Sequence, residues 1–251
     1  MSLPDFLTSL KRRGRIFAWN HNIVDNFWFN TIRRNLPDLE SRKPDFWIAG
    51  FPRSGNTFAG VLLETLELCP YVCYHLHHPP QLLGLIRSGI PGFIAMRDPL
   101  STVVSCCIFA QKPPLDVFGN FIDFHRWLLP SASLTTVIKF EWFTTKPASL
   151  VAAAAAKCGV PPPISEIDSK LLKSVNERID QLFIRDGKLA TNIVARPHPA
   201  RSDQQTKLRA EIANSRQLSF LLDEAAAVQM LFMKSASKIW GNEPSQDSGK
   251  P

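Results

Sequence analysis

The sequence predicts a single α/β domain with a central parallel sheet flanked by helices, and three observations carry that expectation. Short apolar runs bounded by proline or glycine recur at residues 45–50, 71–75, 92–96 and 136–140, and read as buried strands. Between them lie stretches with apolar residues at helical spacing. Strands that alternate with helices imply a parallel sheet covered on both faces. A chain of 251 residues, 45% of them hydrophobic, can bury one such core.

Residues 1–43 are basic and aromatic, with Trp19, Phe27, Trp28 and Phe29 among Arg12, Arg13, Arg15, Arg33 and Arg34. They are expected to form an N-terminal helical segment packed on the domain. The alternative is a surface that touches a membrane or an anionic polymer. The domain proper is placed at residues 44–240, with a flexible tail at 241–251.

Pro44 introduces the first strand, and residues 51–55 break it as a tight loop. Phe58, Val61, Leu62 and Leu66 then share one helical face, which ends before Pro70. The strand at 92–96 runs into Arg97-Asp98-Pro99, and Pro99 suits the first turn of a helix through Val103 and Val104. Residues 115–129 read as helix, as does the alanine-rich 148–157, closed by Gly159. Residues 160–204 are rich in proline and polar side chains and are expected to be surface loops; residues 205–234 return to helix.

The net charge of +7 favours anionic ligands without choosing among them. No apolar leader precedes Lys11-Arg12-Arg13, and no apolar run has the length of a membrane span, about 18 residues, so a soluble, cytoplasmic protein is expected. The five cysteines are odd in number and lack paired CxxC spacing, which favours reduced, buried thiols over a metal or disulfide framework.

The most informative stretch is Gly50-Phe51-Pro52-Arg53-Ser54-Gly55-Asn56-Thr57. It has the G-x-x-x-x-G spacing of a strand–loop–helix nucleotide loop, with Asn56 where a nucleotide hydrolase carries lysine. Loop amides and the helix N-terminus converge on an anion in such a turn. Arg53 returns a cation to it, and Ser54 and Thr57 add hydroxyls. The missing lysine suits a nucleotide whose terminal group carries less charge than phosphate. The plain alternative is an ordinary strand–helix turn with a glycine.

A second candidate anion site lies at Arg97, placed at the C-terminal edge of the sheet, and Ser105, eight residues on in the next helix. The two can pinch one phosphate between them. Read alone, Arg97 is more often a surface ion pair with Asp98, and Ser105 a neutral helix residue.

Taken together these segments resemble the cytosolic-type sulfotransferase family. FPRSGNTF (51–58) resembles its 5′-phosphosulfate loop, commonly PKSGTTW or PRSGNTW, and MRDPLSTVVS (96–105) resembles its 3′-phosphate segment. VIKFEWF (137–143) is similar to the family's strand ending in a Tyr-Glu-Asp-like element, and KCGV (157–160) falls where such chains read FLG. The resemblance covers residues 45–160. It implies a P-loop-like fold and transfer of a sulfuryl group from 3′-phosphoadenosine 5′-phosphosulfate (PAPS) to a hydroxyl or amine. Adenosine 3′,5′-bisphosphate (PAP) is released, and no metal is required.

By the same resemblance, Arg53 contacts the sulfuryl group and the bridging oxygen. Ser54, Gly55, Asn56 and Thr57 cradle the 5′-phosphate, and Phe58 stacks near the adenine. Arg97 and Ser105 hold the 3′-phosphate. The family's base is a histidine in an HLPxxLL-like segment. In His75-Leu76-His77-His78-Pro79-Pro80-Gln81-Leu82-Leu83 the proline–leucine register selects His77, with His75 and His78 as rivals. The family's C-terminal RKG segment is not evident. The segment from Arg196 to Arg201 occupies that part of the chain, and Arg196 is the candidate for a further 3′-phosphate contact. The acceptor is a small molecule, lipid, saccharide or peptide tyrosine, with no nucleic-acid partner expected. The rival readings are an ATP-dependent small-molecule kinase with Asp98 near Mg²⁺ and a non-catalytic nucleotide-binding relative.

Overall fold

The computed structural model of the chain describes residues 43–185, 187–191 and 194–238. The expected N-terminal helical segment, apart from Lys43, and the expected tail lie outside the described residues. The first strand, β1 (Phe46–Ala49), is followed by α1 (Asn56–Thr65), β2 (Val72–Leu76), α2 (Pro79–Arg87), β3 (Gly92–Met96), α3 (Pro99–Ala110) and α4 (Pro114–Leu128). Then come β4 (Thr136–Lys139), α5 (Phe140–Thr145), α6 (Pro147–Cys158) and α7 (Ser169–Leu182). A short antiparallel pair follows, β5 (Ile184–Arg185) with β6 (Lys188–Leu189). The described chain ends with α8 (Ser202–Asn214), α9 (Arg216–Ser235) and β7 (Ser237–Lys238).

Five strands form one parallel sheet in the order β2-β1-β3-β4-β7. β1 is buried along its whole length, and its side chains alternate between two cores. Phe46 and Ile48 join α1, α6 and α7 through Val61, Leu150 and Val175. Trp47 and Ala49 face the opposite side, with Leu82 of α2, Val103 of α3, Phe121 of α4 and Phe232 of α9. Burial on both faces is why the strands read as unbroken apolar runs.

Two local expectations change. Residues 160–204 are not all loop: Asp168 caps α7 by accepting from the Leu171 amide at 2.7 Å, and Val175 and Ile179 bury its inner face. The helical stretch after 204 is two helices, divided at Ser215, whose hydroxyl caps α9 through the Leu218 amide. Pro79 and Pro80 open α2, where proline's missing N–H is harmless.

The chain passes from β1 outward to β2 and then crosses to the other side of β1 to form β3. This reversal opens a crevice above the C-terminal ends of β1 and β3, the usual place for a ligand in an open α/β sheet. The loop at 50–55 and the residue Arg97 both leave the sheet there.

Candidate active site

A cavity of about 320 Å³ occupies that crevice. Its wall includes Arg53, Gly55, Asn56 and Thr57 from the loop and start of α1, Arg97 after β3, and Ser105 of α3. His75 and His77 close one side, and Arg196 and Arg201 another. None of the described residues lining it is acidic.

The loop owes its shape to two glycines and one left-handed arginine. A Cβ on Gly50 would sit 2.6 Å from the Ala95 carbonyl oxygen, so only glycine lets β1 leave the sheet this close to β3. Gly55 caps α1 at φ 95°, and a Cβ there would strike the rings of Phe140 and Phe143 at 2.6–2.7 Å. No side chain caps α1, so its first amides stay available to an anion from the cavity. Arg53 itself holds φ 72°, a strained conformation for a side-chain-bearing residue, and strain of this kind gathers at functional sites.

Arg53, Arg97 and Arg201 each donate to hydroxyl or carbonyl oxygens. Arg53 donates from Nε to Ser105 Oγ at 3.1 Å and from Nη2 to the Val194 carbonyl at 2.8 Å, and lies 5.2 Å from the Phe109 ring centre. Arg97 donates to the Arg53 carbonyl at 3.0 Å and stacks at 4.3 Å over Phe140. Arg201, only 4% exposed, donates to the carbonyls of Val194 and Arg196, while its buried Nε has no partner among the described residues. Burial, then the nearby Arg201 and Arg97, lower the Arg53 pKa to about 10, so it remains a cation at neutral pH. Burial likewise lowers Arg97 and Arg201. An anion entering the cavity relieves this crowding.

His77 Nδ1 lies 2.8 Å from the Gly50 carbonyl oxygen. That oxygen can only accept, so Nδ1 carries the proton and Nε2 presents its lone pair. Burial holds the imidazole pKa down to about 4, against a smaller rise from the Gly50 bond, and His77 is neutral at pH 7. His75 also lines the cavity. It stands in a bulge of β2, where Trp47 pairs with Cys73 but Ala49 pairs with Leu76, and holds φ 72°. Its ring centre is 6.1 Å from that of His77. His78 is exposed at the N-terminus of α2 and lies outside the cavity wall.

Of the residues singled out in the sequence, Arg53, Gly55, Asn56, Thr57, His77, Arg97, Ser105 and Arg196 meet around one cavity. Ser54 is buried beneath the loop, and Phe58 packs on the α1–α6–α7 core; neither lines the cavity. Ser105 faces the Arg53 guanidinium. Arg196 is clasped by Asp180, Nε to Oδ1 and Nη2 to Oδ2, both at 2.7 Å. Phe109, Phe183 and Gln205 are wall residues that no motif marked, and Phe140 and Arg201 were named only as parts of longer segments. Arg201 ends the very segment that drew attention to Arg196, but nothing in the sequence says which arginine is buried.

No family model matches the chain, and no curated protein matches it. Among solved structures, the mouse sulfotransferase SULT7A1 complexed with PAP is similar at 12% identity and a TM-score of 0.39, over 72% of this chain and 89% of that one. A likeness of that extent assigns neither family nor activity. No helix among the described residues is long and apolar enough to cross a membrane.

Proposed function

We propose that the protein is a sulfotransferase that moves the sulfuryl group of PAPS to a hydroxyl or amine acceptor. The observation that carries this reading is the convergence, in one cavity, of an uncapped helix N-terminus, four buried or half-buried arginines and a neutral histidine with Nε2 available. The motifs at 51–58 and 96–105 support it by their resemblance to the donor-binding segments of sulfotransferases.

The donor's 5′-phosphosulfate lies against Arg53 and the α1 N-terminus, and its 3′-phosphate against Arg97 and Ser105. His77 Nε2 takes the proton of the acceptor. The acceptor atom attacks sulfur, and the bond from sulfur to the bridging oxygen breaks as PAP departs. Charge that gathers on the bridging oxygen is stabilised by Arg53 and the helix amides. The donor's negative charges beside His77 favour its protonated form and raise its low pKa toward the working range. The N-terminal basic aromatic segment remains a candidate contact with membranes or anionic polymers.

An ATP-dependent kinase would need a carboxylate near the metal. Asp98, the candidate, accepts from the Ser101 amide at 2.7 Å as the cap of α3. The deciding experiment incubates the protein with labelled PAPS and a panel of phenols, alcohols and amines, with and without EDTA. Sulfated product in EDTA is expected. Phosphorylated product that depends on ATP and Mg²⁺ would sink the proposal in favour of the kinase. Binding of PAP with no turnover on any acceptor would leave a nucleotide-binding relative.

A further inference from the structure

The segment from Val194 to Arg201 runs along the cavity as a strap whose backbone carbonyls hold the arginines. The Val194 carbonyl accepts from both Arg53 Nη2 and Arg201 Nη1, at 2.8 and 3.1 Å, and the Arg196 carbonyl accepts from Arg201 Nη2. A guanidinium is a rigid planar fork, so fixing two of its N–H groups fixes the direction of the rest. For Arg201 the N–H groups so directed include Nε, which has no partner among the described residues.

Three features fasten the strap itself. Val194 is fully buried in the α1–α6–α7 core. The turn at Pro199–Arg201 is capped by His198, whose Nδ1 accepts from the Ala200 amide at 3.2 Å. Between them, Arg196 reaches Asp180 in the last turn of α7 with both carboxylate oxygens engaged. That paired geometry is the strongest form of an arginine–carboxylate contact. Each partner shifts the other toward its charged form: hydrogen bonding to Arg196 lowers the Asp180 carboxyl, and Asp180 raises Arg196.

We propose that Arg196 and Asp180 form a positioning pair that anchors the strap, so that its carbonyls aim Arg53 and Arg201 at the bound anion. The proposal rests on the nucleotide-binding reading of the cavity. It differs from a ligand role for Arg196, in which the guanidinium would leave Asp180 to meet the 3′-phosphate. A ligand held back by Asp180 gains when the carboxylate is removed; an anchor loses.

A double-mutant cycle separates the two, with PAP as the probe and titration calorimetry at fixed salt. Asp180→Asn and Arg196→Ala are each expected to weaken PAP binding about tenfold, and the double variant to be no weaker than either, because both act through one contact. Exchanging the charges, Asp180→Arg with Arg196→Asp, should recover part of the loss. Hydrogen exchange measured without nucleotide should quicken about tenfold at strap amides in Asp180→Asn, while Tm moves by no more than about 2 °C. If Asp180→Asn binds PAP as tightly as the parent or more tightly while Arg196→Ala loses affinity, Arg196 is a ligand and the anchor is refuted. Unchanged strap exchange in Asp180→Asn refutes it as well, whatever the nucleotide does. Failure of the parent protein to bind PAP strikes the nucleotide reading instead, and the exchange measurement still decides whether the pair anchors the strap.

Discussion

Replacing Arg201 with methionine removes a buried charge while keeping a flexible stem of similar length. In the parent, Arg201 is 4% exposed, its guanidinium is bonded to two carbonyls, and its buried Nε meets no acceptor among the described residues. A hydrogen bond from a charged donor contributes about 1.5–3 kcal/mol. At 1.36 kcal/mol per factor of ten, Arg201→Met should weaken PAP binding by about 10–150-fold. Arg53 is no confounder: burial, Arg201 and Arg97 together lower its pKa only to about 10, so it is charged at pH 7 with or without this neighbour. The Val194 carbonyl also keeps its bond from Arg53. Titration calorimetry with PAP at one salt concentration measures the loss, with circular dichroism to show that the variant is folded. Arg201→Lys keeps the charge but not the fork, and should fall between the two. A folded Arg201→Met that binds PAP within about twofold of the parent would refute the reasoning, because a buried cation lining an anion site cannot be removed so cheaply.

Arg97→Ala should weaken PAP by about 1.5–3 kcal/mol and adenosine 5′-monophosphate much less; equal losses in calorimetry remove the 3′-phosphate assignment. His77→Ala should lower transfer by about 10²–10⁴ with PAP affinity intact, while His78→Ala, at an exposed position, keeps most activity; parental turnover in His77→Ala would end the base assignment. His125, fully buried between Phe121 and Phe124 with Nδ1 on the Phe121 carbonyl, has its pKa depressed by burial to about 4. The unfolded chain takes up a proton there near pH 6.5, so the unfolded state binds more protons between pH 6.5 and 4, and stability is lost as pH falls through that window. Urea unfolding should show roughly 2 kcal/mol less stability at pH 5 than at pH 7 from this group; an unchanged slope in His125→Leu removes the explanation.

The parts of this protein that were legible in the sequence are those whose cause is local. β1 and β3 are covered on both faces, so burial alone writes them as continuous apolar runs. Pro99 and Asp98 mark the start of α3 because both act within one turn. α7 was hidden because only Val175 and Ile179 are buried in it, four residues apart amid charged side chains. β7 is two exposed residues, Ser237 and Lys238, that become a strand only by pairing with Thr136 and Val137, a hundred positions away. The same division runs through the site. The loop could be read from its glycines, since φ and close approach are properties of single positions. Which groups face one another across the cavity could not. Ser105 lines the cavity with Arg97, but that it also accepts from Arg53 depends on where the strand order brings α3 and the loop together. Arg201 acquires its place from a strap that begins at a buried valine and is clasped to α7 by Asp180. The order of the arginines is written in the chain, but their convergence is a consequence of the strand order, and the chemistry belongs to the convergence.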